Sequence, residues 1–306
     1  MHSYLLWRLI NMVLAMFVLA TLVFFLVRAL PGGPFDKDRA LPKDIIKNLE
    51  AFYGLDQPLW KQYLDFLGGV VRGDLGPSFS SPTDTVNAII ARHLPVSAEL
   101  GLWAILLALG LGIPLGVLAA YFHNGIIDMV ASFLAILGRS IPPIALSPLL
   151  ILVFGLYLRW LPVARFETPA QRVLPSIALG LGLAAIFARV SRSSMLQIIR
   201  EDYIRTARAK GLSEWSVIFI HALRNALIPV VTLLGPMIAI VLTGTFIVEF
   251  FFAVPGLGRF FITSIGNRDY PVVMGTSLLF GAVLMGMNLL VDLLYSLIDP
   301  RIRVRA

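Results

Sequence analysis

Side chains able to do chemistry are scarce and scattered. The four histidines are His2, His93, His123 and His221, and none stands at metal-ligand spacing from a second histidine or a carboxylate. Cysteine is absent, which removes disulfides and thiolate metal sites. No G-x-S-x-G, H-E-x-x-H or Walker-type glycine loop occurs, so neither an acyl-transfer nucleophile, a zinc protease nor a nucleotide cradle is expected. Any ATP that powers this chain must bind another. The polar residues gather instead in one stretch, "REDYIRTARAKGLSEWSVIFIHALRNALIPV", residues 200–230.

From Ser193 to Lys210 the positions Met195, Ile198, Ile199, Tyr203, Thr206 and Ala207 fall on one face at helical spacing, with Arg192, Arg200 and Arg208 elsewhere. Gly211 should stop that helix, and Ser213 with Glu214 suits the cap and first turn of the next. Two readings stand. One is a solvated loop whose cations set topology; the other is a docking knob, in which the small Thr206 and Ala207 beside the glycine turn let a partner's groove close on the backbone.

The elements that must position this hairpin are membrane helices. The chain has 306 residues, 58% hydrophobic and 14% charged, with a mean hydropathy of +0.84, which lies outside soluble-domain usage. That length holds about five to seven spans of ~20 residues. The net charge of +7 sits in loops beside apolar segments, where Lys and Arg orient helices, so nucleic acid is not an expected partner. Span 1 is expected at Leu9–Val27, too long for a signal-peptide core and without a small-x-small cleavage site. A polar segment with Pro and Gly punctuation follows to Ser97, and span 2 at Glu99–Tyr121. A short interfacial helix from Ile126 stops at Gly138-Arg139-Ser140; span 3 follows at Ile141–Leu158 and span 4 at Val173–Ala188. Span 5 is expected at Leu227–Phe252 with a break at Gly235-Pro236, and span 6 at Val272–Leu297.

Six spans put both termini on one side. The cations between Arg189 and Arg224, with Arg301, Arg303 and Arg305 in the tail, make that side the cytoplasm. The long 30–97 segment carries seven Lys or Arg, but long loops translocate regardless of charge. Glu99, Asp128, Arg189 and Asp292 lie near expected span ends and read as interfacial anchors; Arg139 reads as a snorkelling interfacial residue. Glu249 is deeper, and either lines a conduit or pairs with a cation of a partner subunit. Phe52, Tyr53, Trp60, Tyr63 and Phe66 read as the small core of a cap. A secondary transporter would show inverted repeats, and none is visible; a channel would want a filter-like loop or a ring of charges.

"RTARAKGLSEWSVIFIHALRNALIPV" resembles the EAA loop of ABC-importer membrane subunits. The E-A-A, three residues, then G pattern falls on Arg205, Thr206, Ala207 and Gly211, with Arg and Thr in place of the Glu and first Ala. "RALPGGPF", "GDLGPSF", "LPVSAELG", "VEFFFAVPGLGRFF", "NRDYPVVMG" and "DLLYSLIDPRIR" extend the resemblance along nearly the whole chain, to the B-type subunits of oligopeptide and dipeptide permeases. "GDLGPSF" followed by "PVSAELG" leans toward the oligopeptide branch over the dipeptide or nickel branches.

The resemblance implies an all-α membrane protein of six transmembrane helices with the type I ABC-importer permease fold. Residues 1–29 would form the N-terminus and first span, 30–97 a helical extracytoplasmic segment, 98–300 the permease core with a coupling loop at 190–226, and 301–306 a basic cytoplasmic tail in the cell inner membrane. It implies a heterodimer with a homologous C-type permease, two cytoplasmic ABC ATPases that hold ATP and Mg, and an extracytoplasmic peptide-binding protein delivering peptide. This chain would be a permease rather than an enzyme and hold no cofactor. The coupling loop would be Arg205, Thr206, Ala207, Arg208, Lys210, Gly211, Leu212 and Ser213. Gly235, Thr243, Gly244, Thr245 and Glu249 would flank the translocation path, and the 30–97 segment would be either a scoop facing the binding protein or a cap over its own spans.

Overall fold

The apolar runs become helices throughout a computed structural model that describes residues 2–30, 32–35 and 42–298, with the side chains of 2–5, 43, 239, 242–244 and 291–298 outside the description. Among the described residues there is no strand, only an isolated bridge between Pro77 and Thr85. In chain order the helices are α1 (His2–Ala29), α2 (Lys43–Phe52), α3 (Leu59–Arg72), α4 (Val86–Tyr121) and α5 (Ile126–Ser140). Then come α6 (Pro143–Leu150), prolonged by a π-helical stretch at Ile151–Tyr157, and α7 (Pro169–Ile198). The hairpin region follows as α8 (Asp202–Ala209), α9 (Glu214–Ser216) with a π-helical stretch at Val217–Ala222, and α10 (Leu223–Ala226). Last are α11 (Ile228–Gly244), α12 (Phe246–Phe251), α13 (Leu257–Asn267) and α14 (Tyr270–Ile298).

Four of these, α1, α4, α7 and α14, are long and apolar enough to cross a membrane alone. Two bent pairs supply the other candidates, giving up to six spans: α5 with α6 and its π-helical continuation, bent by 101°, and Glu214–Ala226 with Ile228–Ile238, bent by 45°. The six-span expectation stands, with altered boundaries. The expected stop at Ser140 is present and α6 with its π-helical continuation fills the expected span 3, Pro142 and Pro143 barring regular continuation and turning the chain sharply; the departure is that this stretch reaches span length only together with α5. Span 5 runs straight through Gly235-Pro236 and is interrupted at Thr245 instead. Proline removes one N–H from the ladder, and bilayer surroundings make further unmade bonds costly, so the remaining ladder holds. The expected helix from Ser193 to Lys210 is two helices, since Ile199–Glu201 forms a turn and Glu201 (ψ 148°) opens α8 from an extended conformation. Helix α13 had no counterpart among the expected elements.

The described residues cluster into two compact units, one within Met1–Val96 and Pro255–Gly286, the other within Ser97–Val254 and Met287–Arg305. In the first, Phe24 is wholly buried and packs with Val27, Tyr270, Val273 and Met274. Phe66 from α3 stacks on Phe24 and Tyr63 meets it edge to face, so these two aromatics do not form a separate cap core but bind α3 to α1. Phe52 and Trp60 are exposed, while Tyr53 packs on Phe35 and Phe79. Burial and the nearby Asp269 carboxylate push the Tyr53 phenol up. Asp269 itself is buried and gathers the 78–80 loop: Ser78 Oγ donates to its Oδ2 at 2.5 Å, with Phe79 N at 3.1 Å and Ser80 N at 3.0 Å.

In the second unit α4 and α7 meet backbone to backbone. A Cβ at Gly112 would stand 2.6 Å from the Ala184 carbonyl oxygen, one at Gly180 would stand 2.7 Å from that of Ala104, and one at Gly116 would collide with that of Ala188. Only hydrogen fits at these positions, which is how small residues bring membrane helices close. Helix α7 starts where Gln171 Oε1 accepts the N–H groups of Glu167 (2.7 Å) and Thr168 (2.9 Å), with Pro169 at the first helical position.

Candidate coupling surface

The hairpin at 202–216 is built as a short helix, a glycine turn and a capped restart. Helix α8 closes with two bonds, Gly211 N–H to Arg208 O at 2.9 Å and Leu212 N–H to Ala207 O at 3.4 Å. This is the arrangement that satisfies the last carbonyls of a helix when the following residue is left-handed. Gly211 has φ +77°, and no heavy atom lies within 4 Å of where its Cβ would be. The requirement for glycine is therefore conformational, not steric crowding. Ser213 then caps α9 by accepting the Ser216 N–H at 3.4 Å. Arg208 clasps the turn through two bonds to Glu214, Nε to Oε1 at 2.8 Å and Nη2 to Oε2 at 3.3 Å.

One face of α8 is fixed to the unit's core. Ile204 is 0% and Ala207 7% exposed, packed with Val117 and Ala120 of α4, Met195 of α7, and Val217, Ile218 and Ala222 of the following π-helical stretch. Ala207 therefore turns inward, and its small size lets α8 approach this chain's own helices rather than a partner's groove. The opposite face is free: Arg205, Thr206, Lys210, Leu212 and Ser213 are exposed, and Trp215 is 69% exposed while its ring packs on Phe219 at 3.8 Å. Tyr203 accepts a bond from Asn225 Nδ2 at 2.8 Å, tying α8 to α10. The hairpin thus presents basic and aromatic groups on a base packed against this chain's own helices.

Sequence reasoning missed a second polar cluster behind this surface. Asp128, taken for an interfacial anchor, is 5% exposed. It accepts Arg192 Nε at 2.6 Å and Nη2 at 2.8 Å, the Asn124 N–H at 2.9 Å, and contacts from His123 Nδ1 (3.2 Å) and Ser132 Oγ (3.3 Å). His123 does have a carboxylate neighbour after all, but among the described residues no three His, Asp or Glu are grouped as a metal site. Asp128 lies in the first turn of α5, where a carboxylate is favoured, and that placement was the one available signal. Glu99 is likewise paired, with Arg172 Nε at 2.9 Å. Arg189 and Arg139 are exposed; the side chain of Asp292 lies outside the described residues.

On span 5, Gly235, Thr245 and Glu249 are all buried by this chain's own atoms. The side chains of Thr243 and Gly244 lie outside the described residues.

Comparison with known proteins places this geometry. Residues 112–304 match the family described as "Binding-protein-dependent transport system inner membrane component", and residues 1–101 match its N-terminal counterpart. The chain is 47% identical over 304 residues to the dipeptide transport system permease protein DppB of Bacillus subtilis (strain 168), covering 99% of each. It is 41% identical over 298 residues to the oligopeptide transport system permease protein OppB of Haemophilus influenzae, covering 97% of each. Among solved structures it resembles the inward-facing MetNI methionine ABC transporter, with TM-score 0.57 and 17% identity, covering 69% of this chain and 96% of that one. An amino acid ABC transporter crystallised with histidines gives 0.52 and 19%, covering 70% and 94%. The fold is that of ABC-importer permeases. The chain belongs to the binding-protein-dependent inner membrane components, in the branch of B-type permeases named above; it is a multi-pass inner-membrane protein and a transport subunit.

Proposed function

We propose that this chain forms, with a homologous C-type permease, the path by which peptides cross the inner membrane. Two cytoplasmic ABC ATPases, which hold the ATP and Mg, drive it, and an extracytoplasmic peptide-binding protein feeds it. Family membership implies partner permease and ATPase subunits; their identities and the peptide cargo are the proposal. Peptide is supported by the names of the relatives, which include both dipeptide and oligopeptide systems. Oligopeptide remains the favoured cargo on the "GDLGPSF" and "PVSAELG" motifs. In this reading both termini and the 190–226 loop face the cytoplasm, the 30–97 segment lies outside, and residues 98–300 form the core. The 301–306 tail, outside the described residues, is cytoplasmic.

The observation that carries the proposal is the hairpin: anchored by Ile204 and Ala207, exposed at Arg205, Thr206, Lys210, Leu212 and Trp215. A knob fixed at its base and bare at its tip transmits a push from a partner; a topology signal needs only charge. Arg208, Gly211 and Ser213 shape the turn, and Gly235, Thr243, Gly244, Thr245 and Glu249 support the path wall. The test is co-purification of ATPase with the intact chain, with Gly211→Arg and with the surface variant Leu212→Asp. Loss of ATPase in both variants, with the membrane partner retained, supports coupling. Retention of ATPase in both, or transport by the chain alone, removes it.

A further inference from the structure

A cavity of about 240 Å³ opens between α4, α5 and α7, lined by Gly116, Ala119, Ser132, Ala135 and Ala188 together with Arg189 and Arg192. Its lining is mostly apolar, and its charged lining residues are both cationic. Arg192 spends Nε and Nη2 on Asp128, which also receives His123 and Ser132. Arg189, one turn earlier on α7, is exposed and makes no ion pair among the described residues. The cluster therefore holds two guanidinium groups against one carboxylate, an excess positive charge lining a mostly apolar slot.

Depth identifies what would fill it. The 30 residues of α7 extend about 45 Å at ~1.5 Å per residue, against a hydrocarbon layer of ~30 Å. Counted from the polar Arg165–Glu167 end, the hydrocarbon ends near Arg189, at the level of lipid phosphates. Alongside, α5 exposes Ile126 (79%), Met129 (69%) and Phe133 (59%), an apolar face suited to acyl chains. A soluble anion would find no use for that face, and basic pockets between membrane helices are sites for anionic headgroups. We propose that this cavity binds the headgroup phosphate of an anionic phospholipid of the phosphatidylglycerol type, in the leaflet on the side of the α8 hairpin, with its chains along α5.

The test is native mass spectrometry of the purified full chain, equilibrated with equal phosphatidylglycerol and phosphatidylcholine, with and without millimolar inorganic phosphate. The expected result is retention of phosphatidylglycerol over phosphatidylcholine by about fivefold, the weight of one cation near an anionic surface. Arg189→Gln should abolish the preference, Arg189→Lys should restore it, and the slot-filling Ala135→Leu should lower retention with both arginines intact. Equal retention of the two lipids by the native chain overturns the proposal, as does an unchanged preference in Arg189→Gln. Displacement by inorganic phosphate makes it a free-anion site. Loss of a co-purifying membrane subunit in Arg189→Gln, with lipid preference intact, makes it a protein interface; either outcome also overturns it.

Discussion

Two aspartates hold more of this protein together than its scarce polar residues first suggest. Asp269 precedes α14 and takes Ser78 Oγ, Phe79 N and Ser80 N, so it fastens the 73–85 loop to the last long helix of its unit. Replacing it by Asn keeps the volume but turns one acceptor oxygen into a donor and removes the charge, leaving part of the 78–80 donor set without its partner. Asp269→Asn is expected to cost about 1–3 kcal/mol, seen as a lower melting temperature in detergent and faster proteolysis within 73–85. Asp128 plays the corresponding part between α5 and α7. Asp128→Ala should destabilise more than Asp128→Asn, because Ala removes every acceptor while Asn keeps one for Arg192; equal melting of the two variants would count against this account. Neither role was readable from sequence. Asp128 lies 64 positions from Arg192 and Asp269 about 190 from the loop it binds, and hydropathy reports where charges lie along a chain, not which charges meet.

At the scale of elements, the seam between α4 and α7 carries a sharp expectation. Gly116→Leu would drive a side chain into the Ala188 carbonyl and Ser191, with an overpacking cost of about 1–3 kcal/mol, whereas Gly110→Leu meets open space and should melt near the native temperature. Comparing the two in one detergent separates helix-interior glycine effects from loss of the seam. What could be read in advance was whatever depends on local chemistry: the turn at Gly211, the cap at Ser213, the stop at Ser140 and the approximate position of every long apolar run. Departures arose where neighbours decide. The chain breaks at Ile199–Glu201 although helical periodicity continues across it, because α8 must turn to seat Ile204 and Ala207 on α4 and α7. Proline at 236 was a plausible breaker by itself, yet the ladder around it is retained. For Phe52, Tyr53, Trp60, Tyr63 and Phe66, composition signalled aromatic packing but not that Phe24 of α1 would be the anchor.

For the molecule as a whole, division of labour is the testable point. A subunit of a family that implies partner permease and ATPase subunits should be inert in liposomes alone. Under the proposed function, reconstitution with a permease partner, ATPases and a loaded binding protein should give import of labelled peptide, at a rate that falls to background in Leu212→Asp. Transport by the isolated chain would contradict this. The glycine seam bears on how such a machine moves. Side chains that interdigitate can change rotamer and let helices slide, but backbones in direct contact have no soft layer between them, so α4 and α7 behave as a single girder with α8 bolted to its end. Compliance in this unit must then be sought at its joints, the 45° corner near Leu227 and the 101° corner between Ser140 and Pro143, and a crosslink placed across either should stall the cycle while one along the girder leaves it running.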